Sequence, residues 1–252
     1  MRLTRVHVDA ALVPGSVVVL QPDTASHLAR VLRVRAGDEV ILFNGDGREF
    51  CGAIETVRGS RVAASVGAGR SVDRESTLGI SLVQCVPRGD RMDFIVQKAT
   101  ELGVARIIPV LSQRSVVRLD KDQSESKAVH WRAVAVSACE QCGRNCLPTI
   151  DVAQPLLNYL GECTPVPGPR LVFEPESASH VRATEREFRH PTDTGIATAE
   201  IAIGPEGGFA GDELEAFRVA GFSQVGLGPR ILRTETAAIA AVVWLQAHFG
   251  DM

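Results

Sequence analysis

From residue 78 onwards, short apolar segments that are typical of buried strands alternate with longer segments that are typical of helices. The clearest strands are predicted at residues 78–86 and 107–110. Between them, residues 90–102 have their apolar side chains at helical spacing, and Gly103 follows where a helix commonly ends. Strands that are joined by helices run parallel, and helices then cover both faces of the sheet. The sequence therefore predicts an α/β fold with a mostly parallel sheet.

The other elements of this region are predicted from the same patterns. Residues 124–142 predict a long helix with Trp131 on its buried face. Pro109 favours an edge strand or a strand end, since proline donates no hydrogen bond to a neighbouring strand. Thr234 is a predicted N-cap for a helix that begins at Glu235, because its hydroxyl can accept hydrogen bonds from free backbone amides. Further strands are predicted at 171–173, 201–203 and 225–227, and further helices at 151–160 and 212–220.

The first part of the chain has a different pattern, in which short strands are separated by turns. The Asn-Gly-Asp-Gly sequence at residues 44–47 is a strong hairpin signal, because asparagine and glycine tolerate a positive φ. This pattern predicts a small antiparallel barrel or sheet, followed by a domain boundary near Ser71. The two domains would then span residues 1–71 and 72–252. Strands are predicted at 17–20, 40–43, 50–57 and 61–66, with one or two helical turns at 26–32.

Charge and hydropathy limit the possible partners. The formal net charge of −3 argues against a generally basic nucleic-acid-binding protein. Two regions are locally basic: residues 1–72 carry nine Arg against seven acidic residues, and residues 87–118 carry six basic against three acidic residues. Any RNA contact is therefore expected from local patches. Neither a signal peptide nor an apolar stretch of about 20 residues is found in the sequence, which predicts a cytoplasmic protein without membrane contact.

The six cysteines are expected to be reduced thiols in such a compartment. Cys139, Cys142 and Cys146 have the spacing of a metal or iron–sulfur site. Three thiolates fall one short of the usual four ligands, and small thiols are common on buried helical faces. We therefore predict no metal.

Two predicted strands each run into a glycine-rich loop, at residues 204–208 and 226–233. Each loop by itself is also typical of an ordinary turn between a strand and a helix. Parallel strands end at the same edge of a sheet, so these loops and the one after residue 173 are expected to converge on a ligand. Neither a dinucleotide-binding nor a P-loop motif is present. S-adenosylmethionine fits better, since backbone groups can bind adenine while Leu227, Ile231 or Leu232 packs on its ring.

The sequences IGPEGGF at 203–209 and LGPRILRTETAA at 227–238 resemble the signature of the RsmE family. These SPOUT-superfamily methyltransferases use S-adenosylmethionine to modify N3 of one uridine in 16S ribosomal RNA. The resemblance extends to HLARVLR at 27–33, QKATELGVARIIPV at 97–110 and EQCGRNCLP at 140–148. It implies a SPOUT-type, trefoil-knotted α/β domain behind a smaller N-terminal PUA-like RNA-binding β-barrel. It also implies a homodimer, to which the apolar last helix contributes, and 16S rRNA in the small ribosomal subunit as the partner.

Individual residues have expected roles, the catalytic ones from the chemistry of uracil methylation and the cofactor-binding ones from the resemblance. Arg233 is expected to stabilise negative charge that develops on the uracil oxygens, although a surface ion pair worth under about 1 kcal/mol is the alternative. Glu235 flanks the same position, and the general base is left open between Glu206, Glu235 and water. Ala210 stands where a Ser or Thr commonly caps the following helix, unless Asp212 replaces that cap. The expected cofactor-binding residues are Leu171, Phe173, Gly204, Pro205, Glu206, Gly207, Leu227, Gly228, Ile231, Leu232, Thr236 and Ala237.

Candidate RNA contacts are basic residues in both parts of the chain. Most surface charges bind nothing specific, but clustered arginines are typical of phosphate contacts. Glu140, Gln141 and Arg144 are placed near the active centre by the resemblance alone. Two alternatives remain: a SPOUT methyltransferase for transfer RNA or another ribosomal position, and a non-catalytic RNA-binding assembly factor. The expected RNA-binding residues are Arg2, Arg5, His27, Arg30, Arg33, Arg35, Arg88, Arg91, Lys98, Gln113, Arg114 and Arg144.

Overall fold

The computed structural model describes residues 3–59, 61–164, 167–175, 177 and 198–252. The chain divides into two compact units. The N-terminal unit comprises Met1–Glu75 together with Val136–Leu147, and the C-terminal unit comprises Ser76–Ala135 and Pro148–Met252. Local sequence patterns cannot show that a segment from the middle of the chain folds with the first 75 residues. Arg2, a predicted RNA contact, lies outside the described residues.

The N-terminal unit contains a five-stranded sheet with the order β1-β3-β4-β5-β2. Strand β1 runs parallel to β3, so the sheet is mixed and not wholly antiparallel as its turns predict. The predicted hairpin joins β3 to β4, with Gly45 and Gly47 at φ 90° and 88°. The predicted turns at 26–32 form a short α-helix and then a π-helix. The elements are β1 Thr4–His7, β2 Val17–Val19, α1 Pro22–His27, the π-helix Leu28–Leu32, β3 Glu39–Phe43, β4 Arg48–Arg58 and β5 Arg61–Ser71.

A buried carboxylate fastens the segment around residue 144 to this sheet. Glu49 is 1% exposed and pairs with Arg5 at 2.6 Å. Arg5 also donates to Arg144 O at 3.1 Å and to Asn145 Oδ1 at 2.6 Å. Arg144 is buried as well and pairs with Glu75 at 2.6 Å. Both guanidinium groups are buried in internal ion pairs, so the structure gives no support to the prediction that Arg5 and Arg144 contact RNA.

The C-terminal unit is built on a parallel sheet with the order β12-β10-β11-β6-β7-β8, and β9 also pairs with β7. Leu82 of β6 and the helical residues Ile95 and Trp131 share one core, whereas Val83 and the helical Phe217 share the core on the opposite face. Helices therefore cover both faces, as predicted. The elements are β6 Gly79–Cys85, α2 Arg91–Glu101, β7 Arg106–Leu111, α3 Lys121–Cys142, β8 Thr149–Ile150, β9 Gln154–Pro155, α4 Leu156–Glu162, β10 Arg170–Phe173, β11 Thr198–Ile203, α5 Gly211–Val219, β12 Ser223–Val225 and α6 Thr234–Phe249.

Two prolines explain where the predicted elements differ from the observed ones. The helix predicted at 151–160 begins only at Leu156, since Pro155 precedes it and residues 154–155 form strand β9. Strand β7 is not an edge strand, because β8 and β9 both pair with it. Pro109 nevertheless falls in the gap between these two short partners, where no amide is needed. Among the described helices, none has the length and apolar character that crossing a membrane requires.

Candidate functional site

Three neighbouring strands of the C-terminal unit end at the same edge of its sheet. β10 lies between β11 and β12 and runs parallel to both. The backbone N–H of Glu174, directly after β10, donates to Val225 O at the end of β12 at 2.9 Å. The loops that follow Phe173, Ile203 and Val225 therefore begin side by side, as the sequence predicts for a parallel sheet.

An open pocket lies beside the ends of β10 and β12, with about 300 Å³ of empty space when the solvent at its mouth is included. Its walls are mostly apolar, and the backbone of Gly228 is open to it because a Cβ there would meet no atom within 4 Å. Gly228 also adopts φ 120°, a conformation that other residues rarely adopt. Mostly apolar walls with exposed backbone are typical of a small-molecule site. The pocket is lined by Phe173, Glu174, Pro175, Leu227, Gly228, Arg230, Leu232 and Ala237.

Thr234, the first residue of α6, contacts the first glycine loop and does not cap the helix. Its Oγ1 donates to Gly204 O at 2.8 Å and accepts from Gln84 Nε2 at 3.0 Å. The N-cap position is occupied by Arg233, whose carbonyl accepts the Ala237 N–H at 2.8 Å. The predicted capping role of Thr234 is therefore wrong, because its hydroxyl is used for a contact between loops.

Arg91 is an unexpected member of the site. Its Nη1 lies 2.5 Å from Glu206 Oε1 in the first loop, and its Nε lies 3.9 Å from Glu235 Oε1 in α6. The Oε2 atom of Glu235 is buried and has no hydrogen-bond partner among the described residues. Arg91 was predicted to contact RNA, but in this structure its guanidinium pairs with one acidic side chain of the first loop and one at the start of α6.

The first loop is also held from the side of β7. Arg114 donates to Gly207 O at 3.1 Å. At the start of α5, Glu213 accepts the Ala210 N–H at 2.8 Å and the Gln113 N–H at 2.8 Å. Glu213 therefore makes one half of a capping box by binding the Ala210 N–H, whereas the Ala210 side chain has no acceptor for the other half. Asp212 accepts a hydrogen bond from the Gln113 side chain.

The pocket brings together part of the predicted cofactor set. Phe173, Leu227, Gly228, Leu232 and Ala237 line it. Glu174, Pro175 and Arg230 also line it and were missed, although Glu174 directly follows Phe173 and Arg230 directly precedes Ile231. Leu171 is buried inside β10, and Ile231 is 85% exposed. The remaining predicted residues lie outside the pocket lining: Gly204, Pro205, Glu206, Gly207 and Thr236.

Comparison with known proteins shows the family. A family model described as an RNA methyltransferase domain matches residues 74–246, and one described as an RNA methyltransferase PUA domain matches residues 20–66. The ribosomal RNA small subunit methyltransferase E of Buchnera aphidicola subsp. Schizaphis graminum is 31% identical over 251 residues, which are 100% of this chain and 98% of that protein. The chain belongs to the ribosomal RNA small subunit methyltransferase E family.

Two solved structures extend this family match to three dimensions. A methyltransferase from Legionella pneumophila, in complex with the cofactor SAM, has a TM-score of 0.90 and 36% identity, with 100% of both chains covered. A ribosomal RNA small subunit methyltransferase E from Neisseria gonorrhoeae, bound to S-adenosyl methionine, has a TM-score of 0.87 and 34% identity over 100% of both chains. These matches confirm the predicted SPOUT-type α/β domain and the smaller PUA-like domain.

The other predicted residues have varied surroundings. His27, Arg30, Arg33 and Arg35 are exposed on and after α1. In the C-terminal unit Arg88 and Arg114 are exposed, whereas Lys98 pairs with Glu101 at 2.9 Å. Glu140 is half-buried and accepts the His7 N–H at 3.0 Å, and burial raises the pKa of Glu140.

The three clustered cysteines lie at the end of α3 and just beyond it. A hydrogen bond with Cys142, followed by burial, raises the pKa of Cys139, and burial raises the pKa of Cys146. In the described part of the chain, no group of three His, Cys, Asp or Glu residues is placed to hold a metal ion.

Proposed function

We propose that this methyltransferase transfers a methyl group from S-adenosylmethionine to N3 of one uridine in 16S rRNA of the small ribosomal subunit, in the cytoplasm. The observation that carries the proposal is the apolar pocket beside the ends of β10 and β12, with the free backbone of Gly228 in its wall. Relatives that match over the full chain length bind this cofactor in that fold. The trefoil knot implied by the family is part of the same proposal.

The pocket residues fit the cofactor. Phe173, Leu227 and Leu232 offer apolar surface to a purine ring, and the amide and carbonyl of Gly228 can reach its polar edge. When bound, the cofactor supplies an electrophilic methyl group on a positively charged sulfur. The acceleration then depends mainly on how accurately the chain orients the uracil toward that methyl group.

Arg233 is proposed to stabilise the transition state. It is exposed, and its guanidinium has no hydrogen bond or ion pair among the residues that the structure describes. As N3 of uracil loses its proton, negative charge develops on the adjacent carbonyl oxygens. A guanidinium placed there stabilises this charge most strongly in the transition state.

The two candidate bases differ in their contacts. Glu206 Oε1 is engaged by Arg91 at 2.5 Å, so this oxygen already has a partner in the structure. Glu235 keeps Oε2 free of hydrogen bonds within the described residues, and its Oε1 is 3.9 Å from Arg91. Glu235 is therefore the stronger candidate to accept the N3 proton or to bind the uracil, with water as the alternative base.

The RNA-binding surface is proposed to consist of exposed arginines. In the C-terminal unit Arg88 and Arg114 follow β6 and β7, while Arg230 and Arg233 follow β12. These strands all end at the edge that carries the pocket, so the four cations can hold phosphates around it. In the N-terminal unit, the exposed residues His27, Arg30, Arg33 and Arg35 form a second group of candidate contacts.

The proposed homodimer rests on α6. Ile239, Val243, Trp244 and Phe249 are only partly buried on this helix, so they offer apolar surface to a second copy. Light scattering at micromolar concentration should give twice the mass of 27.0 kDa. Val243→Glu should dissociate the dimer, whereas the same change at exposed Val219 should not. A monomeric wild-type protein would contradict the proposal.

The function itself is tested in a strain that lacks this protein. Modified nucleotides in its 16S rRNA are mapped by mass spectrometry, with and without complementation, and purified protein is assayed on naked rRNA and on small subunits. Restoration of one 3-methyluridine supports the proposal. A methyl group on transfer RNA or at another ribosomal position would favour the alternative of a SPOUT methyltransferase with a different target. RNA binding without methyl transfer would favour a non-catalytic assembly factor.

A further inference from the structure

One buried hydroxyl connects three separate elements of the C-terminal unit. Gln84, the second-last residue of β6, donates from Nε2 to Thr234 Oγ1 at 3.0 Å, and this hydroxyl donates to Gly204 O at 2.8 Å. A carbonyl can only accept and the amide nitrogen can only donate, so the direction of both bonds is fixed. Gln84 is 0% exposed and Thr234 is 5% exposed, so water does not compete for these bonds.

Gln84 occupies its position at a cost in stability. Its Nε2 also donates to Cys85 O at 2.8 Å, so both protons of the amide are used. Its Oε1 is buried without a hydrogen-bond partner among the described residues, which is unfavourable. An apolar side chain of similar length would avoid that cost and fill the same space. What glutamine contributes here is therefore its two donated hydrogen bonds, of which only the one to Thr234 reaches another element.

The hydrogen bonds of Thr234 connect an inner strand of the sheet to the first glycine loop and to the start of α6. β6 lies between β11 and β7 inside the sheet, so Gln84 is a rigid reference point. Gly204 is the first residue of the first glycine loop, and Thr234 is the first residue of α6. Thr234 is also bracketed by Arg233 and Glu235, the residues to which the proposed function assigns the chemistry.

We propose that Gln84 is a positioning residue for cofactor binding and methyl transfer. Through Thr234 it holds the first glycine loop against the start of α6, and this fixes Leu232 and Ala237 in the pocket wall and Arg233 beside it. The proposal rests on the proposed function, because it assigns a task within the same site. Gln84 and Thr234 are not expected to touch the cofactor, since neither lines the pocket.

Calorimetry with S-adenosylmethionine tests this chain of bonds. Gln84→Met removes the bond to Thr234, and Thr234→Val removes both bonds of the hydroxyl. Each change keeps the size of the side chain, so each should weaken binding about 5- to 30-fold. The double variant should bind no more weakly than the worse single variant, because both changes break the same chain. Thr234→Ser keeps the hydroxyl and should bind within about threefold of wild type.

Thr100→Val is the matched control. Thr100 is also a fully buried threonine whose Oγ1 donates to a backbone carbonyl, that of Val96 at 2.7 Å, but within α2. The melting temperature of Thr100→Val should fall, while its affinity for the cofactor should stay at the wild-type value. Cofactor affinity is compared with melting temperature for every variant, so loss of fold and loss of positioning are separated.

Equal affinities for Thr234→Val and Thr100→Val, or additive losses in the double variant, would overturn the proposal. If Gln84→Met does not fold, the comparison of Thr234→Val with Thr234→Ser and Thr100→Val decides alone. Failure of the wild-type protein to bind the cofactor would instead refute the proposed function, so the two failures are distinguishable.

Discussion

Nη1 of Arg91 lies 2.5 Å from Oε1 of Glu206, and this ion pair ties the first residue of α2 to the first glycine loop. The same guanidinium approaches Glu235 at the start of α6 to 3.9 Å. One cation therefore serves two acidic side chains that are 29 positions apart in sequence, and it reduces the repulsion between them.

Arg91→Gln should lower kcat/KM for methyl transfer about 3- to 10-fold, because the two carboxylates lose their shared cation. Stability should change by under about 1 kcal/mol, since both partners of the 2.5 Å pair are about one-third exposed. Arg106→Gln is the control, because it removes a similarly exposed arginine from its 2.6 Å pair with Asp151 at the start of β7. Equal losses of activity in both variants would contradict a specific role for Arg91.

Arg233→Ala should lower kcat by about 100-fold or more, as expected for loss of a group that stabilises developing charge. The dissociation constant for S-adenosylmethionine should stay within about threefold of wild type, because Arg233 does not line the pocket. Arg230→Ala, which alters the pocket lining, should instead weaken cofactor binding. If Arg233→Ala weakens cofactor binding and leaves kcat at saturating cofactor unchanged, the catalytic role is wrong.

Arg88→Ala should weaken RNA binding at low salt and reduce the slope of log K against log salt by about one. Arg88 is exposed in the loop after β6, where it can contact a phosphate without sequence preference. Arg218→Ala is the comparison, since Arg218 is exposed on α5 and pairs locally with Glu215 at 2.6 Å. An unchanged salt slope for Arg88→Ala would exclude a phosphate contact.

Gly228→Ala should weaken cofactor binding and cost about 1–2 kcal/mol of stability, because Gly228 has φ 120°. Gly221→Ala imposes a similar strain, since Gly221 has φ 84° and a Cβ there would also meet no atom within 4 Å. Calorimetry on both variants separates the two effects. Only Gly228→Ala should alter the affinity for S-adenosylmethionine, and an equal change at Gly221→Ala would contradict the pocket assignment.

Glu49 should make the N-terminal unit sensitive to acid. Burial alone would raise the pKa of Glu49, but hydrogen bonds from Arg74, Arg5 and Arg70 outweigh burial and lower this pKa to about 2. A carboxyl with a lowered pKa stabilises the fold above its unfolded pKa of about 4.3, and this contribution is lost as the pH falls toward 2. The loss should be on the order of 2–3 kcal/mol.

Hydrogen exchange of amides in β4 and β5 measures this loss between pH 5 and pH 2, after correction for the intrinsic exchange rate. Glu49→Gln should be about 3–5 kcal/mol less stable at neutral pH, because Arg5 is then buried without its partner, and it should show a flatter pH dependence. Glu55→Gln changes an exposed glutamate on the same strand and should behave as wild type. A wild-type pH dependence in Glu49→Gln would contradict the role of this cluster.

Much of the fold follows from local pattern. The alternation after residue 78 predicts the parallel sheet, and the hairpin at 44–47 forms as its glycines indicate. The late start of α4 at Leu156 was also readable, since Pro155 stands inside the predicted helix. Strand β1 was missed because its four residues have no distinctive pattern and its partner β3 lies more than 30 positions away.

The sequence could not show which partner each polar side chain of the site has in the folded protein. Arginine is the residue type that most often contacts phosphate, but two of the predicted contacts pair with carboxylates that are distant in sequence. Arg5 pairs with Glu49, and Arg91 pairs with Glu206. Thr234 has the residue type of an N-cap, but its hydroxyl bonds to Gly204 O across the site. These partners lie 30 to 115 positions away, beyond the reach of any periodicity argument.

The sequence by itself determined the α/β class, the two glycine loops, the family and the convergence of the loops at one sheet edge. All of these depend on residue type and on spacing along the chain. Only the tertiary structure decided which arginines are exposed and which are internally paired, that Glu213 binds the Gln113 N–H, and that Gln84 reaches Thr234. Those outcomes depend on distances through space, because a buried charge or hydroxyl must take whichever partner the packed elements bring within hydrogen-bond reach.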